Sequence, residues 1–331
     1  MSSSKLRIKN HGFLLDERTE KDKGTDYLFG ASPIPLQILQ DNSDWENYLP
    51  TLELQRYTNP DGSNWDNMSC VTYSALNCIE ILYKRKFGSE QNFSDRFISK
   101  MSGTTPNGNS FFKVADTIRH VGLVPEEDWD DASITPPMTW DKYQAAIPKD
   151  VIAKGKDFLK MFTINYEFFG PRDSLLEALK YSPVQVAANW NAVKNSAYGS
   201  LYYASNPNNP YTHAITLFRG VEGKFWEIFD HYERDRKKVV WEYKFGFPMR
   251  YDIIKNSDML SLEFIKSKAR STIYALIAGQ RVFPLMDPQT FFDISAEKEY
   301  KFKEVTELEL KNYMMMPKLF TLSGLFKVLT G

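Results

Sequence analysis

Cysteine is nearly absent: Cys70 and Cys78 are the only two in 331 residues. A disulfide-framed secreted scaffold is excluded, and so is a four-cysteine zinc site. If both lie on one helix, they sit about 12 Å apart along its axis, too far to bridge, and the setting is reducing or indifferent to redox. A basic excess is lacking as well. Lys+Arg number 41 against 42 Asp+Glu, for a net charge of -1, which argues against a nucleic-acid-binding face. No stretch reaches the ~18 uninterrupted apolar residues of a membrane helix; the most apolar tail, Met314 to Phe326, is broken by Pro317 and Gly324. Met1 to Arg7 runs into Lys9-Asn-His-Gly12 and not into an apolar core, so no signal peptide is expected. The expectation is a soluble, cytoplasmic chain with no nucleic-acid or membrane partner.

What is present is globular: 42% hydrophobic and 25% charged residues, with 15% aromatics. Residues 1–43 are polar and turn-rich and read as an extension that packs irregularly. Ala75, Leu76, Ile79, Leu82 and Tyr83 recur at helical spacing after Ser69, and Phe87-Gly88 closes that helix. A second amphipathic segment runs from Ser110 to His120, followed by Gly122. The proline-bearing stretch 133–148 reads as a connection. Beyond it come a helix (149–160), a strand (162–168), a short helix (173–181) and alternating strands at 184–190, 212–219, 225–229 and 239–243. Helices first and strands later predict an α+β domain with a helical lobe and a β lobe. From Asp258 the pattern resets to a small hairpin around Ala278-Gly-Gln and a capped turn at Asp287, a separate β-rich module.

Cys70 falls at the first turn of the first helix, where unpaired N–H groups and the positive dipole end favour a thiolate. Cys78 lies mid-helix beside Ile79 and reads as core. A thiolate attacking a carbonyl needs an acid for the leaving group. Of four histidines, His11 in the extension and His120 at a helix end read as structural. His213 opens a strand that turns at Gly220-Val-Glu-Gly223 and returns to Asp230. A turn centred on Val221 and Glu222 places His213 directly opposite Asp230, whose carboxylate would fix the imidazole's tautomer. A two-residue slip keeps the two as diagonal neighbours; a one-residue slip separates them. His231 is out of phase with Asp230 and points to the other face. With Glu233 and Asp235 it could be read as a metal cluster, but alternation at a charged turn is the favoured reading.

Cys70-Val-Thr-Tyr-Ser-Ala-Leu-Asn resembles the active-site helix of papain-like cysteine peptidases. The 143 residues from Cys70 to His213 fall within the roughly 130–150 typical of that family. Asp44-Trp45, Asn92-Phe-Ser-Asp, Gly108 and Ser182-Pro-Val-Gln-Val-Ala keep its order, so the resemblance covers about residues 44–256. It departs from the family at Asp230, where Asn is usual, at Val71, where Trp is usual, and in lacking disulfides and a long propeptide.

The resemblance implies a two-lobe fold over 44–257, with a helical lobe and a β-barrel-like lobe, between the 1–43 extension and the 258–331 module. It implies hydrolysis of protein or peptide substrates by Cys70, His213 and Asp230, with no metal or organic cofactor. It also implies Gln55 as the oxyanion donor, with Asn64 as its rival, and Gly108 and Ala214 at the substrate. A transglutaminase-like or cell-wall amidase-like acyl transfer shares this order. A third reading is a silenced fold serving as a structural or virion-associated assembly component, with the C-terminal module docking a protein partner.

Overall fold

The computed structural model describes residues 11–15, 27–29, 37–51, 56–130, 134–169, 174–189, 192–194, 201–204, 210–231, 235–256, 262–267, 273–277, 281–284, 302–305 and 314–315. The chain divides into two compact units, Met1–Ser32 with Leu36–Ile253, and Pro33–Pro35 with Ile254–Gly331. Helix and sheet are mixed, and among the described residues no helix is long and apolar enough to cross a membrane.

Helix α1 (Cys70–Phe87) follows the anticipated spacing and ends at Gly88 with φ 75. Glycine adopts that left-handed cap without strain, and Lys84, Arg85 and Lys86 complement the dipole in the last turn. Every residue from Cys70 to Leu82 is buried, so α1 is the central core element of its unit. Around the chain follow α2 (Asp95–Met101), α3 (Phe111–Val121), α4 (Trp140–Tyr143), α5 (Lys149–Met161) and α6 (Ser174–Ala178). The Ser94 and Ser110 hydroxyls cap α2 and α3 by accepting from Phe97 N and Lys113 N. The stretch 133–148, read as a connection, holds α4.

The strands of this unit are β1 (Tyr27–Leu28), the hairpin β2 (Arg56–Thr58) and β3 (Asn64–Asp66), β4 (Phe162–Phe168), β5 (Val184–Ala188), β6 (Ala192–Lys194), β7 (Tyr202–Ala204), β8 (His213–Val221), β9 (Phe225–Asp230), β10 (Asp235–Val240) and β11 (Gly246–Lys255). All but β2 and β3 join one nine-stranded sheet in the order β1-β4-β11-β5-β8-β9-β10-β7-β6. The strand expected at 239–243 lies at 235–240 instead. β11 was not foreseen, because Pro248 and the charges at Arg250, Asp252 and Lys255 mask a buried strand. Lys255 is exposed, and the buried Arg250 and Asp252 are tolerated because they are paired: Arg250 Nη2 is 2.9 Å from Asp252 Oδ2, and Arg250 Nε is 3.6 Å from Glu167 Oε2.

The second unit contains β12 (Leu262–Ser267), β13 (Ile273–Ile277), β14 (Arg281–Pro284), β15 (Phe302–Val305) and β16 (Met314–Met315), in the order β15-β12-β13-β14-β16. The antiparallel pairing of β13 with β14 is the anticipated hairpin. The capped turn expected at Asp287 lies outside the described residues.

Candidate active site

Two side chains on neighbouring strands clamp the start of α1 to the sheet. Gln185 Nε2 on β5 donates to Val71 O at 2.7 Å and Ser74 Oγ at 2.8 Å, and Tyr251 OH donates back to Gln185 Oε1. Thr216 Oγ1 on β8 donates to Ser74 O at 3.1 Å. These bonds fix Cys70, the first residue of α1, beside the backbone N–H of Ala214, one residue past His213, which favours the charged form of the thiol. Cys78 is fully buried core, as read from its position.

The hairpin β8–β9 departs from the direct opposition of His213 and Asp230. Val221 pairs with Phe225 and Gly220 with Trp226, while beyond an irregularity between Leu217 and Arg219 the register becomes Leu217 with Ile228 and Thr216 with Phe229. Continued one step, it sets Asp230 opposite Ile215, the diagonal neighbour of His213. Without the bulge, Asp230 would oppose Thr216 and face away from His213, since one residue of register inverts every side chain. With it, His213 Nε2 and Asp230 Oδ1 lie 2.8 Å apart, both fully buried.

A third charged group joins them. Lys237 on β10 is 2% exposed, and its ammonium donates to Asp230 Oδ2 at 2.7 Å. Burial alone would raise the Asp230 carboxyl, but His213 and then Lys237 outweigh it and hold the acid well below the ordinary carboxylate range. Lys237 escaped the sequence reading because a lysine in Asp235-Arg-Lys-Lys looks like a solvated edge; its place opposite Ile228 on β9 is the one signal of inward orientation. His231 turns to α1, as its phase predicts: Asn77 Nδ2 lies 3.2 Å from its Nδ1, and its ring is 5.0 Å from Tyr73. Burial pushes this imidazole down to about 3. No group of His, Cys, Asp and Glu among the described residues could hold a metal ion.

The extension, expected to pack irregularly with His11 in a structural role, crosses the site through residues 11–15. His11 N donates to Thr212 O at 2.9 Å, Leu14 N to Asn109 O at 2.8 Å, and Asn109 N to Gly12 O at 2.9 Å. The His11 ring meets that of His213 edge-on at 5.7 Å, so His11 is part of the site surroundings. Phe13 is 5% exposed, with its ring 5.0 Å from Phe111 and 5.8 Å from Phe247. Cys70 is thereby 0% exposed. This corrects the expectation of a lowered thiol: burial pushes Cys70 far up, Asp66 and Asp230 add to it, and the Ala214 N–H offsets only part. The helix dipole favours a thiolate only when water or a cation can share the charge.

Of the other anticipated residues, Gly108 lies against Gly12 and Ala214 against Cys70. Asn64 is exposed in the β2–β3 hairpin, its side chain on Thr58, and Gln55 is outside the described residues. Sequence reasoning missed Gly12, Phe13 and Met68 as well as Lys237.

No family model matches the chain, and no curated protein matches it. Among solved structures it is similar to papain-like cysteine proteases. Xylellain of Xylella fastidiosa shares 14% identity and a TM-score of 0.49, covering 75% of this chain and 96% of its own. The proform of the ragweed pollen protease Amb a 11 gives 15% and 0.47, covering 66% and 68%. Digestive procathepsin L 3 of Tenebrio molitor gives 15% and 0.45, covering 73% and 76%.

Proposed function

We propose that the chain is a cysteine peptidase of two-lobe architecture, with Cys70 as nucleophile, His213 as proton carrier and Asp230 as the group that orients His213. One observation carries this reading: the buried His213–Asp230 bond of 2.8 Å, with the residue after His213 beside the Cys70 thiol at the start of a helix. Asp230 binds Nε2, which assigns Nδ1 to the thiol. Cys70 Sγ gives its proton to that nitrogen and adds to the peptide carbonyl carbon. The oxyanion is taken by the Cys70 N–H and the Gln55 amide, a donor of the kind worth about 3 kcal/mol of barrier. Collapse breaks the C–N bond, His213 returns its proton to the departing amine, and water then hydrolyses the thioester.

The complete cover over Cys70 favours a second reading, a silenced fold used in assembly, with residues 258–331 docking a protein partner. The two separate on Cys70 itself. With Cys70 accessible, rapid alkylation by iodoacetamide below pH 7, lost in His213→Ala, supports a peptidase; ordinary thiol behaviour overturns it. Peptide hydrolysis against isopeptide formation with an added amine distinguishes peptidase from transglutaminase chemistry.

A further inference from the structure

The segment over Cys70 touches it through a residue that has no side chain. A Cβ built on Gly12 would lie 2.4 Å from Met68 O, 2.8 Å from Met68 C and 3.2 Å from Cys70 Sγ. From the other side, a Cβ on Gly108 would lie 1.9 Å from Gly12 O. Both glycines have left-handed φ, 108 for Gly12 and 101 for Gly108. The wall that excludes a Cβ is backbone, and it is pinned. Met68, itself at φ 52, donates its N–H to Asp66 Oδ1 at 2.9 Å, and Ser69 donates to Asn67 Oδ1 at 3.1 Å. On the opposite wall, Asn109 Nδ2 donates to Ser102 Oγ at 2.9 Å and to Thr104 Oγ1 at 3.2 Å. Neither wall can recede for a larger residue without breaking buried hydrogen bonds. One residue along, Phe13 sits between Phe111 and Phe247.

We infer that the cleft beside Cys70 is a glycine-selective peptide site, whose ligand class is a Gly-aromatic pair and whose built-in occupant is the chain's own segment His11–Leu15. Main-chain bonds from Thr212 and Asn109 hold any peptide there without regard to sequence; the missing Cβ and the aromatic pocket select Gly followed by Phe. This rests on reading the cleft as a peptide site, which the proposed peptidase requires. The tether also keeps the thiol dry, so Cys70 is reached only when the segment leaves.

The test uses the full chain and iodoacetamide at a pH near the ordinary thiol value of 9.0, where reactivity reports exposure and not activation. Mass spectrometry reads Cys70 separately from Cys78. Gly12→Val, whose Cβ meets the Met68 carbonyl, is expected to raise the Cys70 alkylation rate about tenfold or more, because closure is lost. A synthetic peptide reproducing residues 8–16, added to that variant, restores protection; the same peptide with alanine at the Gly12 position does not. Phe13→Asp supplies the same opening should Gly12→Val fail to fold. Equal rates for wild type and both variants, or equal protection by the alanine peptide, overturn the inference. The peptidase reading stands apart. An opened chain whose Cys70 ionises like an ordinary thiol removes that reading and keeps this one. Fast acidic alkylation in the wild type, unchanged by either variant, does the reverse.

Discussion

Asp230 is the most consequential single residue away from the thiol, because one carboxylate answers two cations or potential cations inside the sheet. Its oxygens are divided, Oδ1 to His213 and Oδ2 to Lys237, so neither partner can go without leaving charge buried. Lys237→Met is expected to cost about 3–5 kcal/mol in urea unfolding, the usual penalty for removing one partner of a buried pair. Adding Asp230→Asn to it should recover a large part of that loss, since no unpaired charge then remains. The sign with pH follows from the depressed carboxyl. Its stabilisation is present above the ordinary value of 3.8 and is lost as pH falls below it. Lys237→Met weakens that depression, so the acid unfolding midpoint moves to higher pH.

At the scale of elements, the site depends on how α1 meets β5 and β8. Gln185 is the link, donating to two groups of α1 and accepting from Tyr251 on β11. Gln185→Leu removes both donations into α1 and takes from the buried Tyr251 hydroxyl its acceptor, and is expected to lower stability by about 1–3 kcal/mol. It should also raise the alkylation of Cys70 more than that of Cys78, since only the first turn of α1 is unpinned; equal increases would show that the whole helix loosens. The β8–β9 hairpin matters through its bulge, which alone restores the parity that puts His213 and Asp230 on one face. Pleat alternation in the sequence cannot reveal such an insertion, because each strand alternates correctly on either side of it.

For the whole molecule, buried titratable groups predict a stability plateau with two shoulders. His231 is neutral in the fold, so below the ordinary 6.5 the unfolded chain binds a proton that the native one refuses. Stability therefore falls as pH drops from 6.5 toward 3, and Asp230 steepens the fall below 3.8. Cys70 and Cys78 are both pushed up by burial, so their contribution is full below the ordinary 9.0 and declines above it. Thermal unfolding followed by circular dichroism is expected to be flat between about 6.5 and 9. His231→Gln should flatten the acid shoulder down to about pH 4. A shoulder unchanged in that variant would assign acid sensitivity elsewhere.

The boundaries of α1, α3 and α5, the β13–β14 hairpin, the buried role of Cys78 and the position of Cys70 at a helix start were legible because they follow from short-range physics. Apolar spacing, serine caps and glycine stops act within a few residues. The pairing of His213 with Asp230 was half legible: the right face, but a register two residues from the one expected. β11 and Lys237 were hidden, because both carry charges that are compensated only by residues distant in the chain. The site's present state was decided by tertiary structure alone. Helix start and dipole pointed to an ionised thiol, yet a segment some 60 residues upstream lies over it and burial reverses the sign. Ionisation depends on the solvent and charges around a group, and those are set by what folds over it.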